Sequence, residues 1–337
     1  MKEEKQHEAL NLAQQVFRWT VFLIFGLRHS GLPRLKRRYL CVLYSLQFVS
    51  WVILLLFCVK PLVLFDGIDA VFDPLHGMQS HFVEVSGLRV HYLAAGPVDG
   101  QPVVLVHGLG GIAEDWTGLQ GYLTHAGFRV YMPELIGYGR SEKPADYTYS
   151  VRSEAYMITG FLDALGLKQV DLAGWSMGGW IVQLVASDHP ERVRRLILFD
   201  SGGLREKPLW DTRLFTPTTP SEFTQFLALL MPHPPRLPVA ADWVILHIWK
   251  DKNWVKRRSM ASLLTGEDAT DERLPALKMP VLIVWGDMDR IFPLSQGKRI
   301  HQLVPQSEFE VIAGCGHMAP VQCTAQIGPK VVAFVDR

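Results

Sequence analysis

The stretch DLAGWSMGGW, residues 171–180, decides the fold, because Ser176 in it has Gly174 two positions before it and Gly178 two positions after it. An apolar run that predicts a buried strand leads into the serine, and a run with helical spacing follows it. A serine on so sharp a strand-to-helix turn projects its hydroxyl from a strained backbone, and side chains at the two glycine positions would collide. The free N–H groups at the start of the helix favour negative charge beside the hydroxyl. The pattern predicts a nucleophile at Ser176 rather than an ordinary glycine-rich turn.

Short apolar runs alternate with helical runs on both sides of this turn, as in PVVLV at 102–106 and VLIVWG at 281–286. Continuous apolar strands that alternate with helices are typical of a mostly parallel sheet covered by helices on both faces. Residues 201–278 interrupt the alternation, and they contain many Trp and Phe residues. An insertion of this length between two strands predicts a cap or lid rather than a structureless loop.

A serine nucleophile needs a base and an acid that orients the base, and after a turn of this type the expected chain order is serine, acid, histidine. Asp289 follows the apolar run VLIVWG, at the end of a predicted strand where parallel sheets place functional side chains. Asp287 and Asp200 are alternative acids. His317 is the predicted base, because the glycines around it in GCGHM give a loop that can bring an imidazole over the sheet edge.

The predicted oxyanion hole consists of two backbone N–H groups, those of Met177 and of Leu109 in the segment HGLGG. His107, which ends a predicted buried strand, is expected to shape this loop rather than to act as the base. The predicted triad supplies nucleophile, base and charge stabilisation, so we expect neither a metal nor an organic cofactor. Aromatic residues of the predicted cap are candidates for substrate binding: Trp210, Phe223 and Trp243.

The N-terminal part of the chain predicts a membrane anchor. Residues 39–59 lack charge and would span roughly 30 Å as a helix, which matches a bilayer core. Basic residues precede this run and acidic residues follow it, which favours an N-terminus in the cytoplasm and a catalytic domain on the non-cytoplasmic side. The run is too long and too far into the chain for a signal peptide, and it is apolar on all faces, unlike an ordinary core helix. The apolar segment 16–27 predicts an interfacial helix, with a two-span hairpin as the alternative.

The predicted organisation is an N-terminal cytoplasmic or interfacial segment (1–38), a transmembrane helix (39–60), a linker (61–80), a core in two parts (81–200 and 279–337) and a cap or lid (201–278). The composition agrees, with 337 residues, 48% hydrophobic residues and 20% charged residues. A net charge of +1 gives no reason to expect a nucleic-acid partner. The four cysteines show no metal-binding spacing and are expected to be apolar packing residues. A disulfide between Cys315 and Cys323 is the alternative.

Five motifs occur in the order HGLGG, PELIGYGRS, GWSMGG, WGDMDRIFP and GCGHM. Together they resemble the α/β-hydrolase family over about residues 81–337. The resemblance implies an eight-stranded sheet with a helical cap inserted after the sixth strand. Within the family, the chain resembles the membrane-anchored monoacylglycerol lipase group in its N-terminal anchor, its serine turn and the amino-acid sequence of its predicted cap. Acyltransferase-like members carry an acid where this chain has Gln322, which disfavours acyl transfer.

The leading expectation is a serine hydrolase that cleaves carboxylic esters of lipid-like substrates, such as monoacylglycerols, through an acyl-enzyme on Ser176. A carbon–carbon bond hydrolase of dienone-type substrates is the alternative, because such enzymes share the motif set. A catalytically inactive, membrane-tethered binding module is a third hypothesis. The expected partners are a lipid-like ester and, through the N-terminal helix, a membrane; the oligomeric state stays open.

Overall fold

Eight strands form one sheet in the computed structural model, which describes residues 73–235 and 253–337 together with Val42, Ser45–Gln47 and Ile245–Leu246. The strands are β1 (Met78–Val85), β2 (Leu88–Ala95), β3 (Pro102–Val106), β4 (Arg129–Pro133), β5 (Val170–Trp175), β6 (Val193–Phe199), β7 (Val281–Gly286) and β8 (Glu308–Ile312). Their order in the sheet is β1-β2-β4-β3-β5-β6-β7-β8. Pairing is antiparallel between β1 and β2 and between β2 and β4, and parallel elsewhere. The predicted eight-stranded, mostly parallel sheet is confirmed.

Helices cover both faces of the sheet. The described residues include helices α1 (Thr117–His125), α2 (Val151–Ala164), α3 (Met177–Asp188), α4 (Pro220–Leu230), α5 (Asn253–Thr265), α6 (Leu294–Leu303), α7 (Ala319–Gln322) and α8 (Thr324–Val335), of which α4 and α5 lie in the chain between β6 and β7. Every residue of β5 and of β7 is buried, as the continuous apolar runs predict for strands covered on both sides. One apolar cluster joins the sheet to α2, α3 and α6, and a second joins it to α1 and α8. Full burial of one Val, Leu, Ile or Phe side chain in such a cluster contributes about 1.5–3 kcal/mol.

The chain between β6 and β7 contains α4 and α5, where the alternation of strands and helices is interrupted. Helix α4 begins with a capping box, in which the Thr219 hydroxyl accepts a hydrogen bond from the Glu222 N–H at 3.2 Å. Phe215, Phe223 and Phe226 are buried together in an apolar cluster of this insertion. The insertion therefore has helices of its own and an apolar cluster that it shares with Ile291, which follows β7.

Cys315 and Cys323 form a disulfide, which answers the question that the sequence leaves open. The bond joins the loop after β8 to the residue immediately before α8. Cys315 is 1% exposed, so this part of the disulfide lies within the apolar cluster next to α8.

The prediction of a single-pass membrane protein with its catalytic domain on the non-cytoplasmic side is wrong, because no helix in the described part of the chain is long and apolar enough to cross a bilayer. The longest described helix, α2, has 14 residues. It therefore rises about 21 Å, which is less than a hydrocarbon core of about 30 Å. The predicted span at 39–60 lies outside the described residues apart from Val42 and Ser45–Gln47, and the predicted interfacial helix at 16–27 lies wholly outside them.

Candidate active site

Ser176 lies on the turn between β5 and α3, in a backbone conformation that a serine rarely adopts (φ 58°, ψ −119°). A Cβ atom on Gly174 would collide with the carbonyl oxygen of Gly178, and one on Gly178 would collide with that of Val106. Both positions therefore require glycine, as the sequence pattern predicts. The turn holds the serine in the left-handed region and so directs its hydroxyl away from the sheet.

The structure brings the three predicted triad residues together. His317 Nε2 lies 2.8 Å from Ser176 Oγ, and His317 Nδ1 lies 2.8 Å from Asp289 Oδ2. Because a carboxylate only accepts hydrogen bonds, Nδ1 carries the proton in this arrangement and Nε2 is left to accept the serine proton. The serine and the histidine are 141 positions apart in sequence, and they meet because the loops after parallel strands lie at the same edge of the sheet.

Asp289 is fixed by the backbone as well as by His317. Its Oδ1 accepts hydrogen bonds from the N–H groups of Ile291 at 2.7 Å and Phe292 at 3.0 Å. Oδ2 is thereby left facing the imidazole. These bonds set the orientation of the carboxylate before any substrate binds.

The two alternative acids lie elsewhere. Asp287 is exposed, and its Oδ1 accepts a hydrogen bond from the N–H of Gly314 at 2.8 Å. Asp200 is fully buried at the end of β6, where its Oδ1 accepts from the N–H of Gly286 at 2.7 Å. Of the three acids that the sequence offers, Asp289 is the one hydrogen-bonded to His317.

Aromatic residues enclose the histidine. The indole N–H of Trp175 donates to the carbonyl oxygen of His317 at 2.6 Å. The rings of Trp175 and Phe292 lie 5.8 Å and 5.4 Å from the imidazole ring. His317 is 2% exposed, so its contacts with the hydroxyl and the carboxylate are made out of bulk water, where they are stronger.

The loop that precedes α1 is held by His107, which is fully buried. Its Nδ1–H donates to the carbonyl oxygen of Gly108 at 2.8 Å, and its Nε2 accepts from the N–H of Leu135 at 3.1 Å. Burial lowers the pKa of His107, which agrees with a neutral ring that makes one donated and one accepted bond. The structure thus supports the predicted loop-shaping role of this residue.

Asp115 is a second support of this loop, and the sequence reasoning missed it. Its Oδ2 accepts from the N–H of Ile112 at 2.9 Å, and burial raises its pKa to about 6. The available signal was an acidic residue three positions after Ile112, at the start of a short helical turn.

A cavity of about 590 Å³ leads to Ser176. Its wall is mainly apolar and includes Leu109, Met177, Trp180, Phe215, Leu263 and Phe292. The two predicted oxyanion residues, Leu109 and Met177, therefore face the same cavity as the hydroxyl, and Met177 is the first residue of α3, whose N–H has no acceptor within the helix.

The three candidate substrate-binding residues fall in different places. Trp210 lines the cavity, and its indole N–H donates to the carbonyl oxygen of Ile291 at 2.9 Å. Phe223 packs in the apolar cluster of the insertion and is not one of the residues that line the described cavity. Trp243 lies outside the described residues.

Comparison with known proteins agrees with this geometry. The family described as "alpha/beta hydrolase fold" matches residues 101–232 and 250–322. The chain is 28% identical to Lipase 1 of Psychrobacter immobilis over 74% of this chain and 81% of that protein. It is 30% identical to 2-hydroxymuconate semialdehyde hydrolase of Pseudomonas putida over 70% of this chain and 88% of that protein. A solved structure of a bacterial membrane phospholipase A superposes with a TM-score of 0.76 at 27% identity, over 89% of this chain and 98% of that one.

Proposed function

The chain belongs to the α/β-hydrolase family of serine hydrolases, and on that premise we propose that it cleaves carboxylic esters of lipid-like substrates through an acyl-enzyme on Ser176. The observation that carries this proposal is the continuous chain of hydroxyl, imidazole and carboxylate, with both distances 2.8 Å, at the end of an apolar cavity. Similarity to a lipase and to a phospholipase A supports ester chemistry for the same arrangement.

Acylation begins when Ser176 Oγ attacks the ester carbonyl carbon while His317 Nε2 takes the hydroxyl proton. The carbonyl oxygen becomes an oxyanion, and we assign its stabilisation to the N–H groups of Leu109 and Met177, which line the same cavity as Ser176. The tetrahedral intermediate then collapses, the bond to the alkoxide breaks, and the imidazolium gives its proton to the leaving oxygen. The alcohol departs and the acyl group stays on the serine.

Deacylation repeats the same steps with water as the nucleophile. His317 Nε2 takes a proton from the water as its oxygen attacks the acyl carbonyl, and the second oxyanion occupies the same site. Collapse of this intermediate breaks the bond to the serine, and the imidazolium returns the proton to Ser176 Oγ. Asp289 keeps the imidazole in the required tautomer and stabilises its positive charge in both halves of the reaction.

The shape and chemistry of the cavity support an acyl chain as the buried part of the substrate. Its wall is mainly apolar, and its charged lining residues, Arg205, Glu206 and Lys207, are exposed. An apolar wall contributes about 25 cal/mol for each Å² of acyl surface removed from water. Long-chain monoacylglycerols and related lipid esters fit this division between an apolar interior and a polar entrance.

A fluorophosphonate probe tests this proposal, because it reacts with an activated serine and needs no knowledge of the natural substrate. We expect the wild-type protein to be labelled and to hydrolyse p-nitrophenyl esters, and Ser176→Ala to lose both properties while keeping its thermal melting temperature. A folded wild-type protein that is neither labelled nor active on esters would contradict the proposal and favour an inactive binding module.

The 30% identity to 2-hydroxymuconate semialdehyde hydrolase favours a second candidate, hydrolysis of a carbon–carbon bond. The same hydroxyl, base and oxyanion donors would serve that reaction. A panel that compares p-nitrophenyl esters and monoacylglycerols with a dienone substrate separates the two candidates. We expect kcat/KM to be higher for the esters, and a clear preference for the dienone would replace the first candidate with the second.

A further inference from the structure

A second buried acid lies beside the triad and has no part in the mechanism described above. Asp200 directly follows β6, the strand next to β7, and is fully buried. Its Oδ1 accepts one hydrogen bond, from the N–H of Gly286 at 2.7 Å, while its Oδ2 is buried without a hydrogen-bond partner. Its backbone has a positive φ of 40°, which is uncommon for a residue with a side chain. A buried polar oxygen without a partner calls for an explanation in a native structure.

Gly286 connects this acid to the triad. Its N–H donates to Asp200, and its carbonyl oxygen accepts from the N–H of Asp289 at 3.3 Å. A Cβ atom on Gly286 would lie 2.6 Å from the carbonyl oxygen of Gly316, the residue before His317. The carboxyl of Asp200, the turn of Asp289 and the loop of His317 therefore all meet at one glycine.

The two acids are unequal in their ability to hold a negative charge. Asp289 receives hydrogen bonds from two backbone N–H groups and faces His317, whereas Asp200 receives one. Burial, and next the neighbouring Asp289 carboxylate, raise the pKa of Asp200 well above its ordinary value. Two carboxylates in one low-dielectric site do not readily ionise together, so Asp200 keeps its proton.

We propose that Asp200 is a reserve acid of the triad, neutral in the resting enzyme and able to support His317 when the Asp289 carboxylate is removed. This inference rests on the proposed function, because it requires His317 to act as the base. Burial and the negative charge at position 289 both keep Asp200 protonated, so loss of that charge removes one of the two causes. Once its proton is released to solvent, the free Oδ2 of Asp200 can accept the Nδ1–H of an imidazole that tilts toward β6, and this pairing favours the ionised carboxyl.

A double-mutant cycle tests the proposal, with kcat and KM measured on p-nitrophenyl butyrate for the wild type, Asp200→Asn, Asp289→Ala and the double variant. Asn has the shape of a protonated Asp and tolerates a positive φ, so we expect Asp200→Asn to stay within about twofold of wild-type kcat. Asp289→Ala should lose about 10²–10³-fold. The double variant should lose about 10⁴-fold, the size of the loss when a triad acid is missing altogether. KM should stay nearly constant throughout.

Two further readouts separate a reserve acid from a merely structural residue. The far-downfield proton resonance of His317 Nδ1–H should persist, shifted, in Asp289→Ala and disappear in the double variant. Glu154→Gln neutralises another buried acid, and combined with Asp289→Ala it should leave kcat at the value of Asp289→Ala alone. If Asp289→Ala does not fold, Asp289→Ser takes its place, since its hydroxyl can accept one of the two backbone hydrogen bonds.

Equal kcat values for Asp289→Ala and the double variant would overturn the reserve role. A folded Asp200→Asn that loses tenfold or more by itself would overturn the claim that Asp200 is silent in the resting enzyme. If the wild type hydrolyses esters, either of these results leaves the proposed function intact. A wild type without ester hydrolysis and without fluorophosphonate labelling contradicts the proposed function instead.

Discussion

Several buried carboxyl groups among the described residues hold their protons more tightly in the folded chain than in the unfolded chain. Glu154 on α2 is 2% exposed, and its Oε2 accepts from the N–H of Ile136 at 3.2 Å. Burial raises the pKa of Glu154 to about 8, although the bond from Ile136 and the neighbouring Tyr147 hydroxyl act to lower it. Such a group keeps its proton in the folded chain at pH values where the unfolded chain has already released it.

This difference predicts how stability depends on pH. Between about pH 4.5 and pH 8 the folded state holds a proton that the unfolded state has lost, so the free energy of unfolding falls as pH rises, by up to about 1.4 kcal/mol per pH unit. Glu154→Gln has no proton to lose and keeps an acceptor for the Ile136 N–H. We therefore expect its gain in melting temperature over the wild type to grow from pH 5 to pH 8.

Glu272→Gln is the matched control, because Glu272 is exposed. Its difference from the wild type should be the same at both pH values in thermal melts. A Glu154→Gln curve that runs parallel to that of the wild type from pH 5 to pH 8 would show that this carboxyl is ionised in the folded protein.

Among the elements, the loop between β8 and α7 contains both the proposed base, His317, and one end of a disulfide. His317 follows Cys315 by two positions, and the disulfide ties that cysteine to the residue before α8. Closing so short a loop stabilises the folded state by about 2–3 kcal/mol through the entropy of the unfolded chain. The same bond limits how far the imidazole can move from Ser176 Oγ.

Loss of this disulfide is therefore expected to affect rate more than substrate binding. In Cys315→Ser/Cys323→Ser we expect kcat to fall about tenfold with KM nearly unchanged, since a small misplacement of a catalytic group is costly in rate. Assays with p-nitrophenyl butyrate measure kcat and KM, and thermal melts check that the variant is folded. Cys41→Ser/Cys58→Ser is the control and should match the wild type; a disulfide-free variant with full kcat would mean that packing alone holds His317.

The sequence was sufficient for elements whose signal is local. Strands β5 and β7 were predictable because burial on both faces requires a continuous apolar run. The glycines around Ser176 were predictable because any side chain there would collide with the backbone. Both effects act within a few residues. The role of Asp200 was not predictable in this way, because it depends on the N–H of Gly286 approaching from a neighbouring strand. The disulfide stayed open for the same reason, since cysteine spacing does not fix the distance between two side chains.

The error about localisation has a different origin. The prediction was based on an apolar run and on the charges beside it, and neither is sufficient evidence of a membrane-spanning helix. The described part of the chain contains no helix that could cross a bilayer. Lipid-like substrates do not require such a helix. The apolar surface that supports the substrate proposal lies in the cavity at Ser176, between the sheet and the insertion.

At the scale of the whole molecule, two parts of the chain share the cavity: the turn between β5 and α3, which contributes Ser176 and Met177, and the insertion, where Leu263 on α5 lines it. If acyl chains extend from Ser176 to α5, a bulkier side chain at Leu263 should exclude long chains and spare short ones, which extend less far from the serine. We expect Leu263→Trp to lower kcat/KM for p-nitrophenyl palmitate at least tenfold relative to p-nitrophenyl acetate, since overfilling a packed space costs about 1–3 kcal/mol. Ala261→Trp, at an exposed position of the same helix that does not line the described cavity, is the control and should leave that ratio unchanged. Equal losses for both esters in Leu263→Trp would mean that acyl chains leave Ser176 by another route.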